Sequence, residues 1–426
     1  MKNRSYLSFW FSQMVSQLGS AMTAYALTLW AYKQTGHAMT VSILMLCSWL
    51  PFVLSSPFAG VLVDRLSKKR LLVIPDAIAA CGTLCALLLV RTGGLQLWHI
   101  GVLNALTGAM SAIQSSACAV VVGLLVPSED LPRAAGLRGF SDATVGLLAP
   151  MLAAGIFAFS GLGVVFLCDL LTCCVAIGLL LTLRVPETPS AGSARTRESM
   201  AEGFRFLRGV PGLMMIIMYM ALVNLLAQVT YENILSPMLI ARSGSTATAG
   251  VVSSMLGLAG IAGGLVVAVI GKRQDPMLFI FGATGASFLL GDLLLGAGRS
   301  LPVWLTAGFF ASFPIPFIQA GLNAVYYGVI PRGLQGRTFA AINALQTSTI
   351  PIGLLLGGVL ADHVFEPAMA SGIPLARSLS HIVGAGPGSG MAVMFLCTGT
   401  LGFLVSVLCS RSRAVREVTR QAWKCE

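Results

Sequence analysis

Asn224, Gln228 and Glu232 follow one another at steps of four, which stacks two amides and a carboxyl on one face of a helix. Amides bind polar groups without carrying charge, and a carboxyl can also take up and release a proton. The stretch 209–231 holds no charged side chain and is long enough to enter a bilayer. An ionised carboxyl there costs at least ~2.5 kcal/mol, so an acid in that place needs a reason. Proton coupling is one reading of Glu232; a buried helix-helix hydrogen bond is the other. The same spacing recurs in Gln13/Gln17 and Gln319/Asn323, while Asn104, Thr107, Ser111 and Gln114 fall at i, i+3, i+7 and i+10. Each set lies on one helical face, and with Tyr231 and Tyr326 these residues are expected to line a substrate cavity, interhelical hydrogen bonding being the alternative.

The remaining acids have other readings. Asp142 follows Arg138 by four and is expected to pair with it, although it stays a candidate for proton coupling. Asp76, Asp169 and Asp292 have no amide partner on their own helices, so structural pairing is expected, with a second proton site as the alternative; of the three, Asp169 is kept as a coupling candidate. His37, His99, His363 and His381 match no metal-ligand spacing, and no metal site is expected. The nearest approach to a phosphate-binding loop, Gly271-Lys272-Arg273, has Val266 where the first glycine belongs, so ATP is not the expected energy source and an ion gradient is.

The elements that must position these residues are membrane helices. Only 10% of the 426 residues are Asp, Glu, Lys or Arg, against about 25% in soluble proteins, and 56% are hydrophobic. Twelve stretches of at least fourteen residues carry no charge. The expected fold is an all-α membrane protein of twelve transmembrane helices, since backbone in lipid must be helix or closed barrel and no alternating pattern suggests a barrel. The net charge of +11 is a topology signal: with both termini cytoplasmic, 22 of the 27 basic residues fall on the inner side, and no aromatic-basic motif supports nucleic-acid binding.

The charged segment around 184–210 divides the spans six and six. Pro127-(x5)-Arg133 recurs as Pro331-(x5)-Arg337, and Gly60-(x6)-Ser67-Lys68-Lys69 as Gly264-(x6)-Gly271-Lys272-Arg273, both at an offset of 204. That common offset indicates two pseudo-symmetric six-helix bundles, 1–184 and 211–410, joined by a linker over 185–210 and followed by a basic tail, 411–426. The in-span amides sit mainly on the first, fourth, seventh and tenth helices, the equivalent members of four three-helix units, so those helices are expected to face one cavity between the halves. Pro374–Val383 is expected to lie on the outer membrane surface, with a lid or partner site as the alternative.

Gly60-Val-Leu62-Val-Asp64-Arg65-Leu-Ser67-Lys68-Lys69-Arg70-Leu-Leu72 resembles the loop between helices two and three of the major facilitator superfamily, with Ser67 in place of a glycine. The resemblance implies a cytoplasmic gate in which Asp64, Arg65 and Lys69, flanked by Gly60, Lys68 and Arg70, clamp the two halves. Gly146-(x3)-Pro150-(x3)-Ala154-Gly155 is similar to the helix-five motif of antiporters in that superfamily. Asp76, the Pro127-(x5)-Arg133 spacing, and Asp169 followed by Leu-Leu-Thr172 look like the macrolide-efflux and enterobactin-exporter branch. Pro374–Gly390 is similar to transporters found beside nonribosomal-peptide gene clusters. A helix-four arginine common in drug-proton antiporters is missing here, which makes Glu232 more important.

The resulting expectation is a monomeric secondary transporter of a bacterial inner membrane that exports an amphipathic drug, peptide-type natural product or siderophore. It is expected to need no cofactor or ATP and to be driven by the proton gradient. An uptake or lipid-moving facilitator of the same fold is one alternative. An integral-membrane enzyme is another, though it lacks a clustered catalytic set.

Overall fold

The computed structural model describes residues 4–126, 130–183, 196–270, 275–331, 334–371 and 373–424. Among the described residues there is no strand. Apolar stretches of this length have no water to satisfy their N–H and C=O groups, and each closes its own hydrogen bonds as a helix. Among the described residues, eleven helices are long and apolar enough to cross a membrane. The first helix, α1 (Arg4–Thr35), has the length but not the apolarity, because five serines, three glutamines and three threonines interrupt it.

The chain forms two compact units, Met1–Ser193 and Ala194–Glu426. The first contains α1, α2 (Ala38–Arg65), α3 (Lys68–Arg91), α4 (Leu97–Leu125), α5 (Leu131–Ser160) and α6 (Leu162–Thr182). Here α2 runs along α4, α1 lies against α5 and α6, and α3 packs on α4 and α6. Close approach of α2 to α4 depends on Gly108, where a Cβ would run into the Ser48 carbonyl. The Tyr6 hydroxyl and the Trp10 indole of α1 donate to the Ala134 and Leu137 carbonyls of α5 at 3.2 and 2.9 Å. Two apolar clusters fill the unit, one around Ile100, Val165 and Phe166, the other around Phe9, Leu72 and Leu180. Ser67, the departure from glycine in the loop motif, caps α3 by accepting from the Arg70 N–H at 3.3 Å.

The second unit begins with α7 (Thr196–Gly209), an amphipathic helix. Eight further helices follow: α8 (Pro211–Ser243), α9 (Thr246–Ile270), α10 (Leu278–Ala297), α11 (Leu301–Val329), α12 (Arg337–Ala370), α13 (Pro374–Val383), α14 (Ser389–Ser410) and α15 (Arg413–Lys424). One buried cluster joins Ile216 and Ile217 of α8, Ile280 of α10, Val325 of α11 and Ile342 of α12. Leu207 of α7 and Val415 of α15 enter the same cluster, so both amphipathic helices are packed into this unit. Glu202 of α7 also pairs with Arg337 of α12.

Not all of these helices are regular. Gln228–Glu232 of α8, Ser287–Asp292 of α10 and Leu360–Phe365 of α12 are π-helical turns, each with an extra residue per turn. The segment after α12 is fastened down. Arg299 donates to the Ser380, His381 and Ile382 carbonyls at the end of α13, and Arg242 donates to that of Val383. Cations there meet the partial negative charge of a helix C-terminus. Glu366 accepts from the N–H groups of Met391 and Gly388 at 3.0 and 3.3 Å. Leu375 and Ile382 stay exposed on α13, consistent with a surface helix, and its committed carbonyls argue against a free lid.

Candidate functional site

The first unit encloses a cavity of about 540 Å³. Gln13 and Gln17 reach it from α1, Asn104, Ser111 and Gln114 from α4, Asp142 from α5 and Asp169 from α6, so the separate helical faces read from spacing converge. Trp10, Met14 and Met110 add apolar surface beside them. This mixture suits an amphipathic guest better than an ion.

The two amides of α4 are already engaged. Asn104 donates to the Leu44 carbonyl of α2 at 2.9 Å, and Gln114 donates to Asp76 Oδ1 at 2.9 Å. Asp76 also accepts from Ser16 Oγ at 3.0 Å, and the Cys173 thiol points at its backbone carbonyl at 3.2 Å. The carboxyl is 4% exposed, ties α3 to α1 and α4, and leaves Oδ2 buried without a hydrogen-bond partner. Asp169 Oδ2 accepts from Thr23 of α1 and Thr83 of α3, both at 2.9 Å. Structural pairing is therefore what both acids do, but they do it on the cavity wall, where the sequence pattern placed neither.

Asp142 departs from expectation. It forms no ion pair with Arg138; instead it accepts from Gln17 Nε2 of α1 at 3.3 Å. Packing of α1 along α5 supplies the nearer partner, and Arg138 turns to the side of the cavity lined by Tyr6 and Cys118. Gln13 Oε1 accepts from the Cys118 thiol at 3.1 Å, while its Nε2 is buried with no acceptor. Sequence reasoning missed Asp76 and Arg138 as cavity residues. Ser16, three residues after Gln13 on the polar face of α1, was the available signal for Asp76.

The motif residues are only partly accounted for. Gly60, Asp64 and Arg65 fall on the last turns of α2, and their side-chain surroundings lie outside the described residues, as does Pro127 entirely. Lys68 is buried with its Nζ 3.4 Å from the Leu66 carbonyl, Lys69 reaches the Leu181 carbonyl of α6 at 2.5 Å, and Arg70 is exposed. Pro150 sits inside α5, and a Cβ at Gly146 or Gly155 meets nothing within 4 Å, so packing inside the unit does not require those glycines.

In the second unit the π-helical turn breaks the expected alignment of α8. Asn224 and Gln228 share a line, but the extra residue moves Glu232 off it. Glu232 is exposed and makes no hydrogen bond or ion pair among the described residues; Gln228 Oε1 is buried without a donor. Tyr231, expected on the cavity, instead spends its hydroxyl on Asp292 Oδ1. Tyr326, also expected on the cavity, is buried, 7% exposed among the core residues of α11, whose apolar face is Ile318, Leu322, Val325 and Tyr326. Tyr327 takes the open position instead, following the exposed Gln319 and Asn323 at steps of four. Among the described residues no group of three His, Cys, Asp or Glu is placed to hold a metal ion.

Comparison with known proteins decides the family. A family model described as Major Facilitator Superfamily matches residues 9–354. The chain belongs to the major facilitator superfamily. It is similar to macrolide efflux protein A of Streptococcus pyogenes, 24% identical over 429 residues, with 97% of each chain covered. It is also similar to the multidrug efflux pump Tap of Mycolicibacterium fortuitum, 25% identical over 373 residues, covering 83% of this chain and 88% of that one. Among solved structures, a bacterial homologue of the iron transporter ferroportin in an inward-facing state superposes with a TM-score of 0.68 at 15% identity. That match covers 97% of this chain and all of the other. The nucleoside transporter NupG gives 0.71 at 10% identity, over 96% of this chain and all of the other. At such identities the structures speak for the fold alone. Membership of this superfamily makes the protein a multi-pass membrane transporter and not an enzyme.

Proposed function

We propose that this transporter exports an amphipathic small molecule, a drug, peptide-type natural product or siderophore, from a bacterial cytoplasm in exchange for protons by alternating access. The observation that carries the reading is end-to-end similarity to macrolide efflux proteins in a chain whose first unit holds a cavity walled by amides, acids and apolar side chains. In this reading α1 is the twelfth span, its hydroxyls and amides tolerated because they face the cavity, and both termini are cytoplasmic. The bundles are 1–184 and 211–410, with 185–210 as the linker and 411–426 as a tail, and the unit of function is a monomer without cofactor or ATP.

Substrate contacts fall to Gln13, Gln17, Ser111 and Gln114 in the first bundle and to Asn224, Gln228, Gln319 and Asn323 in the second. Asp64, Arg65 and Lys69 form the cytoplasmic gate. Glu232 carries the coupling proton, because it is exposed and pairs with nothing among the described residues; Asp142, Asp169 and Asp76 are the acids that line the cavity of the first unit. Erythromycin uptake into everted membrane vesicles tests both parts. Energisation should drive accumulation, and Glu232→Gln should abolish the proton-driven component while leaving passive exchange. No accumulation on energisation would turn the direction toward uptake, and undiminished proton-driven transport in Glu232→Gln would remove that residue from the coupling role.

A further inference from the structure

Asp292 is a carboxyl on a membrane helix, 0% exposed, and neither the substrate cavity nor the gate uses it. Burying such a group is costly unless each oxygen finds a donor. Both do: Tyr231 of α8 donates to Oδ1, and Thr398 Oγ1 of α14 lies 3.0 Å from Oδ2. Among the described residues no cation takes part.

The two ends of the Tyr231–Asp292 bond share an unusual local geometry. Tyr231 lies in the π-helical turn Gln228–Glu232, and Asp292 closes the π-helical turn Ser287–Asp292. Such turns sacrifice regular helical bonding and persist where surrounding contacts hold them. The Tyr231 ring is gripped as well, standing edge-on to Phe395 with centroids 5.5 Å apart.

The residue after Glu232 is fixed from another direction. Asn233 is 1% exposed and its Nδ2 donates to the Leu354 carbonyl of α12 at 2.6 Å. Gly357 of α12 allows this approach, since a Cβ there would collide with the Asn233 amide and the Val229 carbonyl. Glu232 thus stands between two anchored neighbours, Tyr231 held to α10 and Asn233 held to α12. With the backbone of the turn set on both sides, its own side chain stays exposed and makes no hydrogen bond or ion pair among the described residues.

We propose that Tyr231 and Asp292 are positioning residues for Glu232: the bond between them, with the Asn233 anchor, locks the π-helical turn so that the Glu232 carboxyl is presented to open space. The part this plays in transport rests on the coupling role given to Glu232 above; the lock itself does not. It also accounts for a fully buried acid on α10 whose carboxyl is held by the hydroxyls of Tyr231 and Thr398.

Labelling with dicyclohexylcarbodiimide, read by mass spectrometry on the peptide that contains Glu232, tests the lock without any transport assay. In the full-length protein in lipid nanodiscs, Glu232 should be labelled. Tyr231→Phe and Asp292→Asn should each lower that labelling several-fold. The double variant should lose no more than either single one, because both remove the same bond. Ile280→Ala, a buried cavity-forming change on α10 twelve residues before Asp292, controls for instability and should leave the labelling as it was. An unlabelled wild-type Glu232, unchanged labelling in the single variants, additive losses in the double, or an equal loss in Ile280→Ala would each overturn the proposal. A Glu232→Gln protein that still couples transport to protons would sink the coupling role while leaving these labelling results untouched.

Discussion

At the scale of single residues, the acids of the first unit divide by what surrounds them. Asp76 holds two donors on Oδ1 and none on Oδ2. Asp76→Asn keeps an oxygen for Ser16 and Gln114, and its thermal unfolding temperature in detergent should stay near that of the wild type. Asp76→Leu leaves both donors buried and unpaired, at about 1–3 kcal/mol for each, and should lower that temperature markedly. A reversed order would mean that the Ser16 and Gln114 bonds do not hold α1, α3 and α4 together. This cluster explains how far the site could be read from sequence. Amides recurring at steps of three and four identified α1 and α4 as polar-faced helices, and those residues do meet in one cavity. Spacing reports neighbours on one helix only, so the bonds that cross from α3 to α4 or from α1 to α5 are invisible to it: spacing pairs Asp142 with Arg138, whereas Gln17 of another helix is its partner.

At the scale of elements, hydropathy located the spans because lipid imposes helix on any long apolar segment. It could not show the π-helical turns, which depend on contacts from α10, α12 and α14 and leave no mark in composition. A regular helix would give Glu232 and Tyr231 directions that the π-helical turn changes. Helix contacts that rest on one small residue are the most exposed to substitution. Gly108→Leu would drive a side chain into the Ser48 carbonyl, and the first unit should fail to reach its folded state, read as loss of a monodisperse peak in detergent. If that variant is stable, α2 and α4 do not pack as described. The outer segment makes a gentler prediction: Arg299→Ala releases three carbonyls of α13 and should speed cleavage by trypsin after Arg377, with the rest of the chain intact.

At the scale of the whole molecule, the 204-residue offset and the charged stretch near 184–210 pointed to two halves, and each compact unit has its own buried core. Fragments 1–193 and 194–426, expressed separately, should each keep a cooperative melting transition; aggregation of either one alone would show that its core is insufficient. Leu207→Ala should cost the second unit about 2–5 kcal/mol, seen as a lower melting temperature of fragment 194–426, although hydropathy places that residue in a mere connector. The reason is α7, whose fourteen residues are built into the second core through Leu207 and tied to α12 through Glu202. A reporter domain spliced in ahead of Thr196 parts no contact among the described residues, whereas the same insert after Gly209 would cut Leu207 away from the core it completes. The place where this transporter tolerates a graft is thus set by α7, a full helix upstream of the point where the next apolar span begins.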